Sequence, residues 1–175
     1  YVFGRGGEEM LVLKDEGIPC EEIPGITSAI AAPAAAGIPV THRQCSRMVT
    51  ILTASAINSE GKKEALTQVD YKALAQLQGT LVVLMGMHHL EELALKLMEE
   101  GKSPETPAAV IMEGATIRQR SVRATLGTIA KTAAEAGLKP PAVIVIGEVA
   151  ALDLMPQEPS FSSGELQGLH IGVTG

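Results

Sequence analysis

From Arg47 onward, short continuous apolar runs alternate with segments whose apolar positions recur every three or four residues. "RMVTILTAS", "TLVVLMG", "AAVIMEG" and "PAVIVIGEV" are β-branched or otherwise apolar and end in glycine or small residues, so each is predicted as a strand. Between them, "VDYKALAQLQG" and "HHLEELALKLMEEG" are predicted helices. In the second, Leu90, Leu93, Ala94, Leu97 and Met98 fall on one stripe, and Gly101 closes it. "QRSVRATLGTIAKTAAEAGLKPP" starts as an alternating strand and becomes a helix that ends at Gly137. Strands buried on both faces and separated by helices predict an α/β sheet with mixed strand directions.

The first 43 residues read differently. "EEMLVLKDEG" predicts a short helix, with two acids in the first turn to complement the dipole and Gly17 as a left-handed stop. "IPCEEIPG" is extended and ends at Pro24 and Gly25. "ITSAIAAPAAAG" is uncharged and alanine-rich, which predicts a helix packed tightly on both sides, with Pro33 starting or kinking it. From Asp153 onward, "DLMPQEPSFSSGELQG" has linker composition, and "LHIGVTG" reads as a fresh strand. The predicted organisation is 1–44, the tail of an earlier lobe; 45–152, a complete α/β lobe; 153–168, a linker; and 169–175, the first strand of a following domain.

Composition narrows the function classes. Hydrophobic residues make up 46% and charged residues 19% of 175, enough apolar surface to offset the ordering entropy, so the chain is expected to fold. Two Phe, two Tyr and no Trp leave few stacking surfaces for single-stranded nucleic acid, and a net charge of −6 supplies no polycation. Nucleic acid is therefore excluded as an expected partner. No apolar run reaches the roughly 18 residues of a membrane span. Cys20 and Cys45 show no metal or redox spacing and are expected to be buried or half-buried thiols of a soluble cytoplasmic protein.

Several short stretches are candidates for chemistry, each with a plainer alternative. "FGRGG" is a glycine-rich turn before a helix, without the lysine of a P-loop or the spacing of a dinucleotide fingerprint. Arg5 within it can fork onto a carboxylate or simply pair with Glu8 or Glu9 on the surface. Thr27 and Ser28 open an apolar helix, where hydroxyls also serve as caps. Thr41, His42 and Arg43 follow a proline-bounded turn and fit either ligand contact or a solvated loop. Met85 and Gly86 end a strand, where open α/β sheets bind ligands, although a methionine there also suits the core. His88 and His89 open a helix as solvated residues, and no spacing in the chain supports a metal.

Taken together, "VFGRGGEE", "GIPCEEIPGITSAIAAPAAAGIPVTHR", "GTLVVLMGM", "TPAAVIMEGATIRQRSVRATLGTIA" and "KPPAVIVIGEV" resemble the tetrapyrrole methylases in order and spacing over Tyr1 to Val149. The resemblance implies two α/β lobes enclosing a cleft for S-adenosylmethionine, of which this chain holds the second lobe and a remnant of the first. The family's Gly-Pro-Gly loop and Gly-Gly-Asp-Pro residues are not found here, so the chain is expected to lack the family's N-terminal portion and to be inactive alone. Carried onto this chain, the resemblance implies Val2 beside the cofactor, Thr27 and Ser28 near its methionine end, Met85 near the nucleoside, and Ala115 in the "EGAT" turn. It implies Arg5 and Glu8 as a clamp and proton handler in the tetrapyrrole cleft, and Thr41, His42 and Arg43 as further substrate contacts. "LTASAIN" replaces the usual Thr-Gly-His, and "MEGAT" replaces "ENAT" or "ENGT", so contacts from that histidine and that amide are not expected.

The implied reaction is methyl transfer from S-adenosylmethionine to C-2 and then C-7 of uroporphyrinogen III, giving precorrin-2 for sirohaem and cobalamin, with S-adenosylhomocysteine as by-product. A carboxylate-rimmed porphyrinogen calls for cations near the cleft, a role for Arg5, Arg43, Arg118 or Arg120. The family implies a homodimer, in which the alanine-rich segment packs across subunits. A sister methylase acting on a later corrin intermediate, a diphthine synthase, and a non-catalytic folding or dimerisation fragment are the alternatives. "ELQGLHIGVTG" resembles the opening strand of uroporphyrinogen-III synthase, which would make residues 169–175 the start of a fused synthase.

Overall fold

The apolar runs pair into a five-stranded sheet. The structure is a computed structural model that describes residues 1–54 and 69–155. Strands β1 (Val49–Thr53), β2 (Thr80–Leu84), β3 (Pro107–Met112), β4 (Arg120–Thr125) and β5 (Ala142–Ile146) lie in the order β1-β2-β5-β3-β4. β1 and β2 are parallel, and the β2–β5, β5–β3 and β3–β4 pairs are antiparallel, so the directions are mixed, as expected. β5 is antiparallel to both of its neighbours, so β2 and β3 run the same way and their carboxyl ends share one edge of the sheet.

The central strands read as unbroken apolar runs because both faces of the sheet are covered. Leu81 and Val83 of β2, Ala108 and Val110 of β3, and Ile144 and Ile146 of β5 face one core. Leu90, Leu93, Ala94 and Leu97 of helix α4 (Leu90–Glu99) and Ile129 and Ala133 of α5 (Ile129–Glu135) complete that core. Each fully buried Leu or Ile there contributes about 1.5–3 kcal/mol. The alternate residues Val82, Leu84, Ala109, Ile111, Val143 and Val145 face a second core, closed by Ala29 and Ala32 of α2 (Ser28–Ala35) together with Ile38 and Val149. α2 precedes the expected boundary at residue 44, yet it packs on the sheet that follows that boundary.

The expectations for α2 and for the two cysteines are corrected. α2 is buried on one side only: Ile30 and Ala34 are exposed while Ala29, Ala32 and Pro33 are buried, so its alanines serve close approach to one sheet face. Pro33 lies inside the helix and does not start it. The helix ends just beyond, where Gly37 at φ 69° lets its N–H reach Ala34 O (3.0 Å) and the Ile38 N–H reach Pro33 O (2.8 Å). Cys20 and Cys45 are both exposed free thiols, not buried or half-buried ones, because both lie in surface segments outside the regular elements.

Helix α1 (Gly6–Asp15) carries Glu8 and Glu9 in its first turn and stops at Gly17 as expected, yet none of its residues is buried. α3 (Tyr71–Gln76) is held at its carboxyl end by Lys102, whose Nζ donates to Ala75 O (3.3 Å) and Leu77 O (3.4 Å); partial burial lowers the pKa of that ammonium. Arg123 of β4 donates to Ala36 O (2.7 Å) and Leu152 O (3.4 Å), and Leu154 N–H donates to Gly37 O (2.9 Å), which straps residues 152–154 across the end of α2. Of the expected linker only 153–155 is described; the expected strand at 169–175 and residues 55–58 of "LTASAIN" lie outside the described residues. Among the described residues no helix is long and apolar enough to cross a membrane.

Candidate functional site

β2 and β3 run parallel with β5 between them, so three chain turns meet at one sheet edge: those after Leu84, after Met112 and before Ala142. Open α/β sheets take ligands at such carboxyl ends. A hollow of about 720 Å³ opens there. Its floor is Leu84, Ile111 and Val143; Ser28 and Ala32 of α2 close one side; Met85, Met87 and His88 close another; Val2 and Phe3 lie across it. Glu113, Gly114, Thr116 and Arg118 form the remaining wall.

The backbone at this edge is strained. Phe3, Met85, Glu113 and Ala115 have φ of 52°, 54°, 47° and 62°, and among the described residues they are the only non-glycine positions with positive φ. Three of them line the hollow, and Ala115 lies between two residues that do. Each such conformation costs on the order of 1–3 kcal/mol and persists only where surrounding structure imposes it. At β2, the chain must dive at once behind Met85, because Gly86 lies where a Cβ would stand 2.9 Å from both Val83 Cγ1 and Ile144 Cδ1. Met85 is thereby turned outward and is half exposed, not part of the core.

At β3, the wall is a compact turn. Glu113 N–H donates to Pro141 O (3.0 Å), Thr116 Oγ1 donates to Glu113 O (2.8 Å), and Arg118 N–H donates to Thr116 Oγ1 (3.1 Å). Ala115 N–H donates to Gln119 Oε1 (2.7 Å), and Gln119 Nε2 donates to Ala35 O (3.0 Å). The Arg118 guanidinium pairs with the Glu113 carboxylate and stays largely exposed at the rim. His88, one of the two histidines predicted as solvated, lines the hollow, whereas His89 faces Glu92 at 3.6 Å.

The candidate residues separate into groups. Val2, Ser28 and Met85 line the hollow, and Ala115 sits in its wall. Thr27 accepts from Ala29 N–H (3.3 Å) as the N-cap of α2 and so presents Ser28 next to it. Arg5 precedes α1 and Glu8 stands in its first turn, a few residues past Phe3; among the described residues Arg5 pairs with neither Glu8 nor Glu9. Thr41, His42 and Arg43 line a different hollow with Ser46 and Arg47. That loop is closed by His42 and Ser46, which exchange backbone hydrogen bonds of 2.7 and 2.8 Å, and is anchored by a buried Ser46–Thr80 hydroxyl pair at 2.7 Å. Arg120 points elsewhere and donates to Ala136 O (2.8 Å).

Phe3, Ala32, His88, Glu113 and Gln119 were not predicted as site residues. Glu113 carried one signal, its place between a strand end and Gly114; Gln119 carried none, since its partners lie across the fold.

The family model of the Tetrapyrrole (Corrin/Porphyrin) Methylases matches residues 1–130. The chain is 51% identical over 150 residues to a uroporphyrinogen-III C-methyltransferase of Methanocaldococcus jannaschii, covering 85% of this chain and 60% of the relative. It is 49% identical over 152 residues to an S-adenosyl-L-methionine-dependent uroporphyrinogen III methyltransferase of Methanosarcina barkeri, covering 87% of this chain and 58% of the relative. Among solved structures, uroporphyrin-III C-methyltransferase of Thermus thermophilus complexed with S-adenosyl homocysteine superimposes with a TM-score of 0.68 at 34% identity, covering 85% of this chain and 61% of that one. The chain thus spans about 60% of the length of these relatives.

Proposed function

This chain belongs to the tetrapyrrole methylase family, and we propose that it transfers methyl groups from S-adenosylmethionine to C-2 and then C-7 of uroporphyrinogen III, giving precorrin-2 and S-adenosylhomocysteine. The observation that carries this reading is the convergence of three left-handed, non-glycine residues, Phe3, Met85 and Glu113, on one hollow at the carboxyl ends of β2 and β3, with a fourth, Ala115, in the turn that forms its wall. Strain held at a binding edge is the mark of a ligand site, and about 720 Å³ lies within the range of small-molecule pockets.

The residues present suit this cofactor. Met85, Val2, Phe3 and Pro140 give apolar surface for a nucleoside, and Ser28 offers a hydroxyl on the α2 side. We assign Met85 and Ala115 to the nucleoside end, Thr27 and Ser28 to the methionine end, and Val2 to the flank. When bound, S-adenosylmethionine supplies an electrophilic methyl on a sulfonium that is its own leaving group. The chain's part is to align the acceptor carbon and exclude water. Arg118 holds a guanidinium at the rim, where a propionate or acetate arm can exchange with Glu113 for its fork. Arg5 serves as the second clamp and Glu8 as the base that takes the ring proton, while Thr41, His42 and Arg43 meet outer carboxylates. The protein works in the cytoplasm as a homodimer.

The test is incubation of the complete native polypeptide with methyl-labelled S-adenosylmethionine and uroporphyrinogen III. Label is expected in a red-fluorescent dimethylated product. Incorporation that is absent, or that requires a different acceptor, overturns the reading.

A further inference from the structure

Gln119 lies outside the hollow, yet the wall of the hollow hangs from it. Its carboxamide is used at both ends: Oε1 accepts the Ala115 N–H at 2.7 Å and Nε2 donates to Ala35 O at 3.0 Å. The two partners are of opposite kind, so the orientation of the amide is set by chemistry, since only the oxygen can accept and only the nitrogen can donate. Ala35 ends α2, and its carbonyl is one of those a helix leaves without an internal partner. Ala115, at φ 62°, is one of two left-handed residues in the wall turn, with Glu113. One side chain therefore ties a left-handed residue of the wall to the helix that lines the hollow beside it.

The remaining hydrogen bonds of the turn, from Thr116 and Arg118, are internal to it, apart from the Glu113–Pro141 anchor at its start. Among the described residues no other side-chain hydrogen bond joins this turn to α2. Gly114 rests against Ala32 one turn earlier on the same helix, so wall and helix meet at two points, one of packing and one of hydrogen bonding. Loss of the carboxamide frees Ala115 to relax out of its left-handed conformation and changes the separation between wall and helix.

We propose that Gln119 is a positioning residue for the cofactor, holding the Ala115 turn against α2 so that the hollow keeps the width the nucleoside requires. This rests on reading the hollow as the S-adenosylmethionine site. A positioning role separates from a structural one through Gln119→Glu, which is nearly isosteric. Its carboxylate still accepts from Ala115 N–H but has no proton for Ala35 O, whereas the protonated acid restores both bonds.

The experiment measures the Kd for S-adenosylhomocysteine by calorimetry across pH, and the KM for each substrate, on the complete native polypeptide and its Gln119→Ala and Gln119→Glu variants. At neutral pH both variants are expected to bind about tenfold more weakly, with KM for S-adenosylmethionine raised to match and kcat within about twofold. As pH falls toward the glutamate range, near 4.3 in the unperturbed residue, Gln119→Glu recovers affinity relative to the unsubstituted protein and Gln119→Ala does not. Should Gln119→Ala fail to fold, Gln119→Glu decides alone. Variant affinities within about twofold of the unsubstituted protein at neutral pH overturn the role of Gln119; an unsubstituted protein that does not bind S-adenosylhomocysteine overturns the reading of the hollow itself.

Discussion

Gly114 rests so closely on Ala32 that a Cβ placed on it would overlap the Ala32 methyl and stand 2.8 Å from the Ala32 Cα. The contact joins the turn after β3 to the middle of α2, and both residues line the hollow. Backbone on both sides leaves no flexible side chain to yield.

Gly114→Ala should therefore move the 113–116 turn away from α2. We expect a loss of about 1–3 kcal/mol in denaturant unfolding. Ala32→Gly, which vacates the space, should recover part of that loss despite its own helix cost of about 1 kcal/mol. A double-mutant cycle reads the coupling, and additive effects would show that the two residues do not share the contact.

Tyr71 supplies a pH signature. Its hydroxyl is buried with no hydrogen-bond partner among the described residues, and burial, followed by the nearby Glu92 carboxylate, raises its pKa from 10.0 to about 12. The folded value lies above the unfolded one, so the contribution of this group is fully present below pH 10 and is lost as pH rises toward 12. The chain has two tyrosines, so in a Tyr1→Phe variant the phenolate absorbance reports Tyr71 alone. Its folded titration should centre near 12. Tyr71→Phe removes an unpaired polar group and is expected to be neutral or stabilising.

Lys102 bonds two carbonyls at the end of α3, 25 and 27 residues away in the chain. Lys102→Met keeps the aliphatic stem and removes the donor. About 0.5–1.5 kcal/mol should be lost, measured as a lower urea midpoint at unchanged slope. A changed slope would mean that the substitution acts on the denatured state instead.

Arg118 separates stability from substrate contact. Its pair with Glu113 is mostly in water, so Arg118→Gln should change stability by no more than about 1 kcal/mol. The KM for a polycarboxylate acceptor should nevertheless rise, on the order of tenfold for the loss of a charge-assisted fork. An unchanged KM would remove Arg118 from the substrate site.

These contacts also show where reading the sequence stops. Strands such as "TLVVL" and "AVIVI" are legible because a strand covered on both faces must be apolar throughout, and α4 is legible because its stripe recurs at helical spacing. The one-sided burial of α2 is not legible, since an alanine suits a crowded face and an open one equally. Met85, Glu113 and Ala115 give no sign of positive φ, because the conformation is imposed by neighbours such as Gly86 and Gln119 and not by preference of the residue. Gln119 and Arg123 reach carbonyls 84 and 87 residues away, a distance over which periodicity carries no information. The resemblance brought Val2, Ser28 and Met85 forward as a set, but it did not indicate that Thr41, His42 and Arg43 occupy a separate hollow.

The most direct test places a reporter inside the hollow. With methyl-labelled methionine, the Met85 resonance, assigned through Met85→Leu, is followed while S-adenosylhomocysteine is titrated into the complete native polypeptide. The account predicts a saturable shift of the Met85 methyl that tracks the binding isotherm. Saturating ligand that leaves Met85 unmoved would contradict it.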